Sequence, residues 1–133
     1  MTLKNVKFSS KTEYGLQAMV NLAKSKKAAK SAQTIAKEEK ISVKYLEKIL
    51  NTLRNNGLVS SVKGKSGGYA LTMPAGKISL RKIILALDGP VSPMKCIGST
   101  CHKEENCPIK KAWTIVGENI EKTLEKIKLK DLI

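Results

Sequence analysis

At 133 residues, with 25 Lys plus Arg against 11 Asp plus Glu, the chain carries a formal net charge of +14. That length fits one domain, or a small domain with an appendage, and excludes a barrel or doubly wound enzyme of ordinary size. The excess of positive charge points to a polyanionic partner, usually nucleic acid; the plainer reading is a lysine-rich solubilising surface.

No apolar run approaches the roughly 18 residues needed to cross a bilayer. The first seven residues lead into no apolar signal region. A cytoplasmic protein with reduced thiols and no membrane partner is expected.

Taken in chain order, Ser10-Lys-Thr-Glu13 has the form of a capping box. It opens a helix over 10–24 in which Tyr14, Ala18 and Leu22 form one stripe, widened by Leu16, Met19, Val20 and Ala23. A second, short helix starts at Ser31 and runs through Ile35 and Ala36 to about Lys40. After the turn Lys40-Ile-Ser42, a third helix capped by Ser42 places Leu46, Ile49, Leu50 and Leu53 on a core face. Its opposite face shows Lys44, Tyr45, Glu47, Lys48, Asn51 and Asn55, and Gly57 stops it. Two helices joined by a tight turn suit a helix-turn-helix, whose second helix enters the major groove by its N-terminal end. Ser42, Lys44, Tyr45 and Lys48 are therefore best placed to touch DNA; a merely solvated charged face is the alternative.

Leu58-Val-Ser-Ser-Val62 and Tyr69-Ala-Leu-Thr72 alternate like paired strands around Lys63-Gly-Lys-Ser-Gly-Gly68. The glycines permit a sharp turn and close approach. Lys63 and Lys65 would bring charge to phosphate or minor-groove distance. A nucleotide phosphate loop is disfavoured, because no helix of the right pattern follows a Gly-Lys-Ser/Thr here.

Met73-Pro-Ala-Gly76 marks a boundary, and Ser79 caps a helix through Ile83, Ile84, Leu85 and Leu87, stopped by Asp88-Gly-Pro90. The following loop, over 92–107, holds all three cysteines (Cys96, Cys101, Cys107) and the sole histidine, His102. Three thiols cannot pair off within one chain, so metal, cluster or redox chemistry is expected rather than a disulfide framework. Pro108 suits a first helical turn and places Cys107 at or next to the N-cap. From there Ile109, Trp113, Val116, Ile120, Leu124 and Ile127 make a near-heptad stripe. Such a stripe is buried against a second copy or against the chain's own head, and a two-part operator favours the symmetric dimer.

The expected fold is mainly α with a small β-hairpin wing. A winged helix-turn-helix occupies 1–76. A linker helix, the cysteine loop (92–107) and a dimerisation helix (108–129) make up 77–133. No nucleophile–base pair or paired carboxylates suggest an enzyme.

Several stretches resemble the family of bacterial iron–sulphur winged-helix transcription regulators that includes IscR and NsrR. They are Ser10-Lys-Thr-Glu-Tyr14-Gly-Leu-Gln-Ala-Met19, Ile41-Ser-Val-Lys-Tyr-Leu-Glu47 and the run from Leu53 to Tyr69, then the C-x4-C-x5-C triplet with Trp113 soon after. The resemblance spans nearly the whole chain. It implies a homodimer on double-stranded operator DNA, with an iron–sulphur cluster (2Fe–2S or 4Fe–4S, undecided) held by Cys96, Cys101 and Cys107. It also implies DNA contacts at Ser42, Lys44, Tyr45, Glu47 and Lys63. A carboxylate there accepts only from donors such as cytosine N4, so Glu47 would discriminate between operators. Lys63 stands where IscR has arginine, which keeps the phosphate attraction but loses the bidentate fork.

The fourth ligand departs from IscR, whose histidine three residues after the last cysteine is replaced by Lys110. Two candidates stand in its place. His102 adjoins Cys101. Glu13 matches the position from which NsrR-type proteins supply a carboxylate out of the opposite subunit; a capping box with Ser10 would explain it without metal. The signal would be iron–sulphur status, redox or nitric oxide. Rival readings are a structural zinc site using His102, and a cluster-free thiol switch at Cys107, where a helix N-terminus favours the thiolate.

Overall fold

Four serines set the helix starts. In this computed structural model, which describes residues 8–90 and 107–133, α1 (Ser10–Lys24) is capped by Ser9, α2 (Ala32–Glu39) by Ser31, α3 (Val43–Asn55) by Ser42 and α4 (Leu80–Asp88) by Ser79. Each hydroxyl accepts from a backbone N–H three residues on, at 3.1–3.3 Å, worth about 1 kcal/mol apiece.

The first cap lies one residue earlier than the Ser10–Glu13 box would put it. The reason is Asp88, whose carboxylate accepts from Ser9 N–H (3.1 Å), Ser9 Oγ (2.5 Å) and Thr12 Oγ1 (2.6 Å). That clasp fixes Ser9, and Glu13 N–H then donates to the Ser9 carbonyl as the helix's first bond.

The turn between α2 and α3 is three residues long. Lys40 ends α2 in the left-handed conformation (φ 57°), Ile41 is buried and donates its N–H back to the Ala36 carbonyl, and Ser42 opens α3. The predicted face of α3 is the core face: Leu46, Ile49, Leu50 and Leu53 are all fully buried. They pack with Ala18, Met19 and Ile35.

Strands β1 (Val59–Val62) and β2 (Gly68–Leu71) pair antiparallel, with Val59 opposite Leu71 and Val62 opposite Gly68. Lys30 adds a one-residue bridge to Tyr69, exchanging both backbone hydrogen bonds (3.0 and 2.7 Å). The wing is thereby tied to the residue just before α2. Gly68 makes the approach possible: its φ is 143°, and a Cβ there would collide with the Lys30 carbonyl and lie 2.6 Å from the Ser31 nitrogen.

Residues past 76 close the same core. Ile78, Ile83, Leu87 and Leu129 belong to it. Gly15 of α1 lets α4 come close, since an added Cβ would clash with Leu87 and sit 3.3 Å from Ile49 Cγ2. Helix α5 (Pro108–Lys126) starts at Cys107 as N-cap with proline in its first turn, as expected. After it the chain returns to the head, where Leu80 N–H donates to the Ile127 carbonyl and Leu129 N–H to the Ile78 carbonyl, both at 2.8 Å. The α5 stripe divides. Leu124 is buried, and Ile120 and Ile127 are half-buried. Ile109 (50% exposed), Trp113 (38%) and Val116 (39%) are left on the surface.

Candidate nucleic-acid interface and cysteine segment

On α3, Ser42, Lys44, Glu47 and Lys48 are exposed. Helical spacing puts Lys44, Glu47, Lys48 and Asn51 on one side, opposite the buried leucines. Tyr45 differs. Its ring is half-buried and meets Tyr14 edge to face, with centroids 5.7 Å apart and planes at 86°, so it steadies α3 on α1 as well as standing at the helix's leading end. The Ser42 hydroxyl already accepts from Tyr45 N–H and retains its own proton to donate.

The wing turn exposes Lys63 and Lys65. Gly67 N–H donates to the Gly64 carbonyl at 3.0 Å, closing the turn so that the two lysines project from it. Recognition helix and wing thus carry four exposed lysines on elements braced by one core. Lysine is a compact point charge suited to phosphate. A duplex lays down one negative charge about every 1.7 Å of axis, so such a surface gains by releasing counterions.

The cysteine segment lies mostly outside the described residues: Cys96, Cys101 and His102 fall there. Cys107 is described, half-buried at the α5 N-cap. Lys110 follows within the first turn of α5 and is half-buried. Glu13 is exposed in the first turn of α1, and among the described residues its carboxylate takes part in no hydrogen bond or ion pair. With Ser9 as the cap, helix capping no longer accounts for Glu13. Among the described residues no three His, Cys, Asp or Glu side chains gather in a way that could hold a metal ion.

Two polar clusters escaped the sequence reading. One is the Asp88 clasp. Partial burial pushes the Asp88 carboxyl up, but hydrogen bonds from the Ser9 and Thr12 hydroxyls and from Ser9 N–H outweigh it and hold it below the usual carboxylate range. The other joins α1 to α2: Lys30 Nζ lies 2.7 Å from Asn21 Oδ1 and 2.5 Å from Glu38, while Asn21 Nδ2 donates to Glu39 at 2.8 Å. The Lys30 hydrogen bond is the main cause holding the Glu38 carboxyl below its ordinary value. The signal for Asp88 was present in its place just before Gly89, where it read only as a helix stop.

Comparison with known proteins agrees with this geometry. The chain is 35% identical over 130 residues to the transcriptional regulator IscR of Xenorhabdus nematophila, covering 96% of this chain and 79% of that protein. It is 34% identical over 128 residues to the regulator CymR of Bacillus subtilis, covering 96% and 89%. Among solved structures, CymR of B. subtilis, described as the global cysteine regulator, superposes with a TM-score of 0.80 at 36% identity, covering 96% of this chain and 95% of that one. IscR of T. potens superposes with a TM-score of 0.79 at 33% identity, covering 98% and 88%. The winged-helix architecture is common to them. The model of the Rrf2 family, described as iron-dependent transcriptional regulators, matches residues 8–133, and the chain belongs to that family.

Proposed function

We propose that this chain is a homodimeric DNA-binding transcriptional regulator, acting in the cytoplasm, whose cysteine segment holds an iron–sulphur cluster and reports iron–sulphur status, redox or nitric oxide. The carrying observation is the exposed set Lys44, Glu47 and Lys48 on a helix whose other face is locked into the core, beside a wing bearing Lys63 and Lys65. The head (1–76) reads DNA, and the remainder (77–133) senses and dimerises. Nothing in the layout calls for enzymatic chemistry.

The donor set fits a cluster. Cys96, Cys101 and Cys107 supply thiolates, which iron–sulphur clusters require. Glu13 offers a carboxylate uncommitted to its own helix, given from the partner subunit; His102 is the other candidate. The bound group would supply the redox and nitric oxide reactivity.

The chain's own residues do the rest. A carboxylate is a hard donor on a soft site, so Glu13 is the weakest ligand. Glu13 stands on α1, whose Gly15 seats directly against Leu87 and Ile49. A displacement of α1 therefore bears on α3 through Ile49 and on the root of the cysteine segment through Asp88. The exposed Ile109, Trp113 and Val116 give the second copy an apolar face to cover.

Anaerobic purification tests this. The expected protein is brown, contains iron and sulphide in stoichiometric amounts, and changes its DNA affinity when the cluster is removed. Colourless protein that takes up no iron on reconstitution overturns the cluster reading. Bound zinc would favour a structural site, and metal-free protein the Cys107 thiol switch.

A further inference from the structure

We propose that the cleft between the wing turn and the start of α2, with Lys27 on one wall and Lys65 on the other, seats a phosphate of the DNA backbone. The cleft encloses about 460 Å³ and is lined by Lys27, Ser31, Thr34, Lys65, Ser66 and Gly67, with no carboxylate among its lining residues. Its charge comes from these two lysines. Lys30 also borders it, but its ammonium is taken up by Asn21 and Glu38 on the other side.

The walls belong to different parts of the chain and are held at fixed separation. The Lys30–Tyr69 backbone pair and the contact of Gly68 with Lys30 lock the wing to the residue before α2. A preformed site loses little on binding. The cleft is about half open to solvent, so a small anion would stay partly wet there, whereas ligand pockets bury most of what they hold. A backbone running across it is the better occupant. In helix-turn-helix proteins the helix before the recognition helix crosses the DNA backbone, and α2 is that helix here. Exposed Lys27 would thus anchor the duplex at a point outside both the recognition helix and the wing tip, without reading sequence.

This inference rests on the DNA-binding reading, and the test separates the two. Binding of a labelled mixed-sequence duplex is followed against salt for the full-length protein and for Lys27→Ala, Lys27→Arg and Lys48→Ala. Lys27→Ala is expected to weaken binding severalfold and to make the slope of log affinity against log salt shallower by about 0.9 per protomer bound. Lys27→Arg restores it. If Lys27→Ala leaves the slope unchanged while Lys48→Ala makes it shallower, DNA binding stands and the cleft is not a phosphate site. If wild-type affinity barely responds to salt, the DNA-binding reading fails and the cleft falls with it.

Discussion

Replacing Gly68 with alanine should part the wing from the start of α2, and the cost follows from the backbone around it. Gly68 has φ 143°, and the new Cβ would run into the Lys30 carbonyl and lie 2.6 Å from the Ser31 nitrogen. These are main-chain atoms next to the α2 N-cap, so no side-chain rotation relieves the clash. The clash is relieved only by opening the Lys30–Tyr69 bridge, which loses two backbone hydrogen bonds worth about 0.5–1.5 kcal/mol each, on top of a positive-φ penalty of about 1–3 kcal/mol. Gly57 is the internal control. Its φ is also positive, at 75°, but nothing lies within 4 Å of where a Cβ would be, so Gly57→Ala costs only the left-handed penalty of about 1–2 kcal/mol.

Urea unfolding of the two variants should therefore give Gly68→Ala the larger loss, by about 1–3 kcal/mol. Gly68→Ala should also bind duplex DNA more weakly at temperatures where both variants remain folded, because the wing lysines are no longer held beside α2. Equal losses for the two glycines, or full DNA affinity in folded Gly68→Ala, would refute the claim that the Lys30 bridge sets the wing's position.

Other substitutions probe other joints. Asp88→Asn should remove part of the acid sensitivity of folding. The depressed Asp88 carboxyl contributes stability that is present above its unfolded value of about 3.9 and is lost as pH falls through the lower folded value; urea midpoints at pH 3 and pH 7 check this, and an unchanged difference between them counts against the clasp. Lys40→Gly should stabilise by about 0.5–1 kcal/mol, the left-handed penalty less glycine's entropy, since Lys40 adopts φ 57°; any loss in thermal unfolding contradicts it. Glu13→Ala should shorten the lifetime of the cluster's visible absorbance while leaving the melting temperature of cluster-free protein within a few degrees, and an unaltered spectrum and lifetime would remove Glu13 as a ligand. Ile109→Ser with Trp113→Ser should yield monomers in sedimentation at micromolar concentration, because it takes the apolar surface off the exposed part of α5; an intact dimer would place the interface elsewhere.

The head was readable because its signals are local. The 3.6-residue spacing of Leu46, Ile49, Leu50 and Leu53 tolerates one packing solution, and the hydroxyls of Ser31, Ser42 and Ser79 stand where caps must be. The α1 cap was misplaced by one residue because two adjacent serines offer equal local choices. Asp88, 79 residues from Ser9 in sequence, decides between them, and no window along the chain contains both. The Lys30–Tyr69 bridge escaped for the same reason. Periodicity showed that Ile109, Trp113 and Val116 share a face with Leu124, but not that only the far end of that face meets its own head.

That one-residue shift bears on the sensor. With Ser10 as the cap, Glu13 would be spent on its own helix. With Ser9 in that place, held by Asp88, the Glu13 side chain is left to solvent in the first turn of α1. The same aspartate is the last residue of α4, four positions before the segment over 92–107 that carries Cys96 and Cys101. One carboxylate therefore fixes the helix that offers the candidate ligand and the root of the segment that offers the thiols. On the proposed reading, a change in the cysteine segment would reach α1 twice, through Glu13 of one subunit and Asp88 of the other. Because Gly15 leaves no slack between α1, Ile49 and Leu87, α1 cannot tilt without moving the helix that carries Lys44 and Lys48.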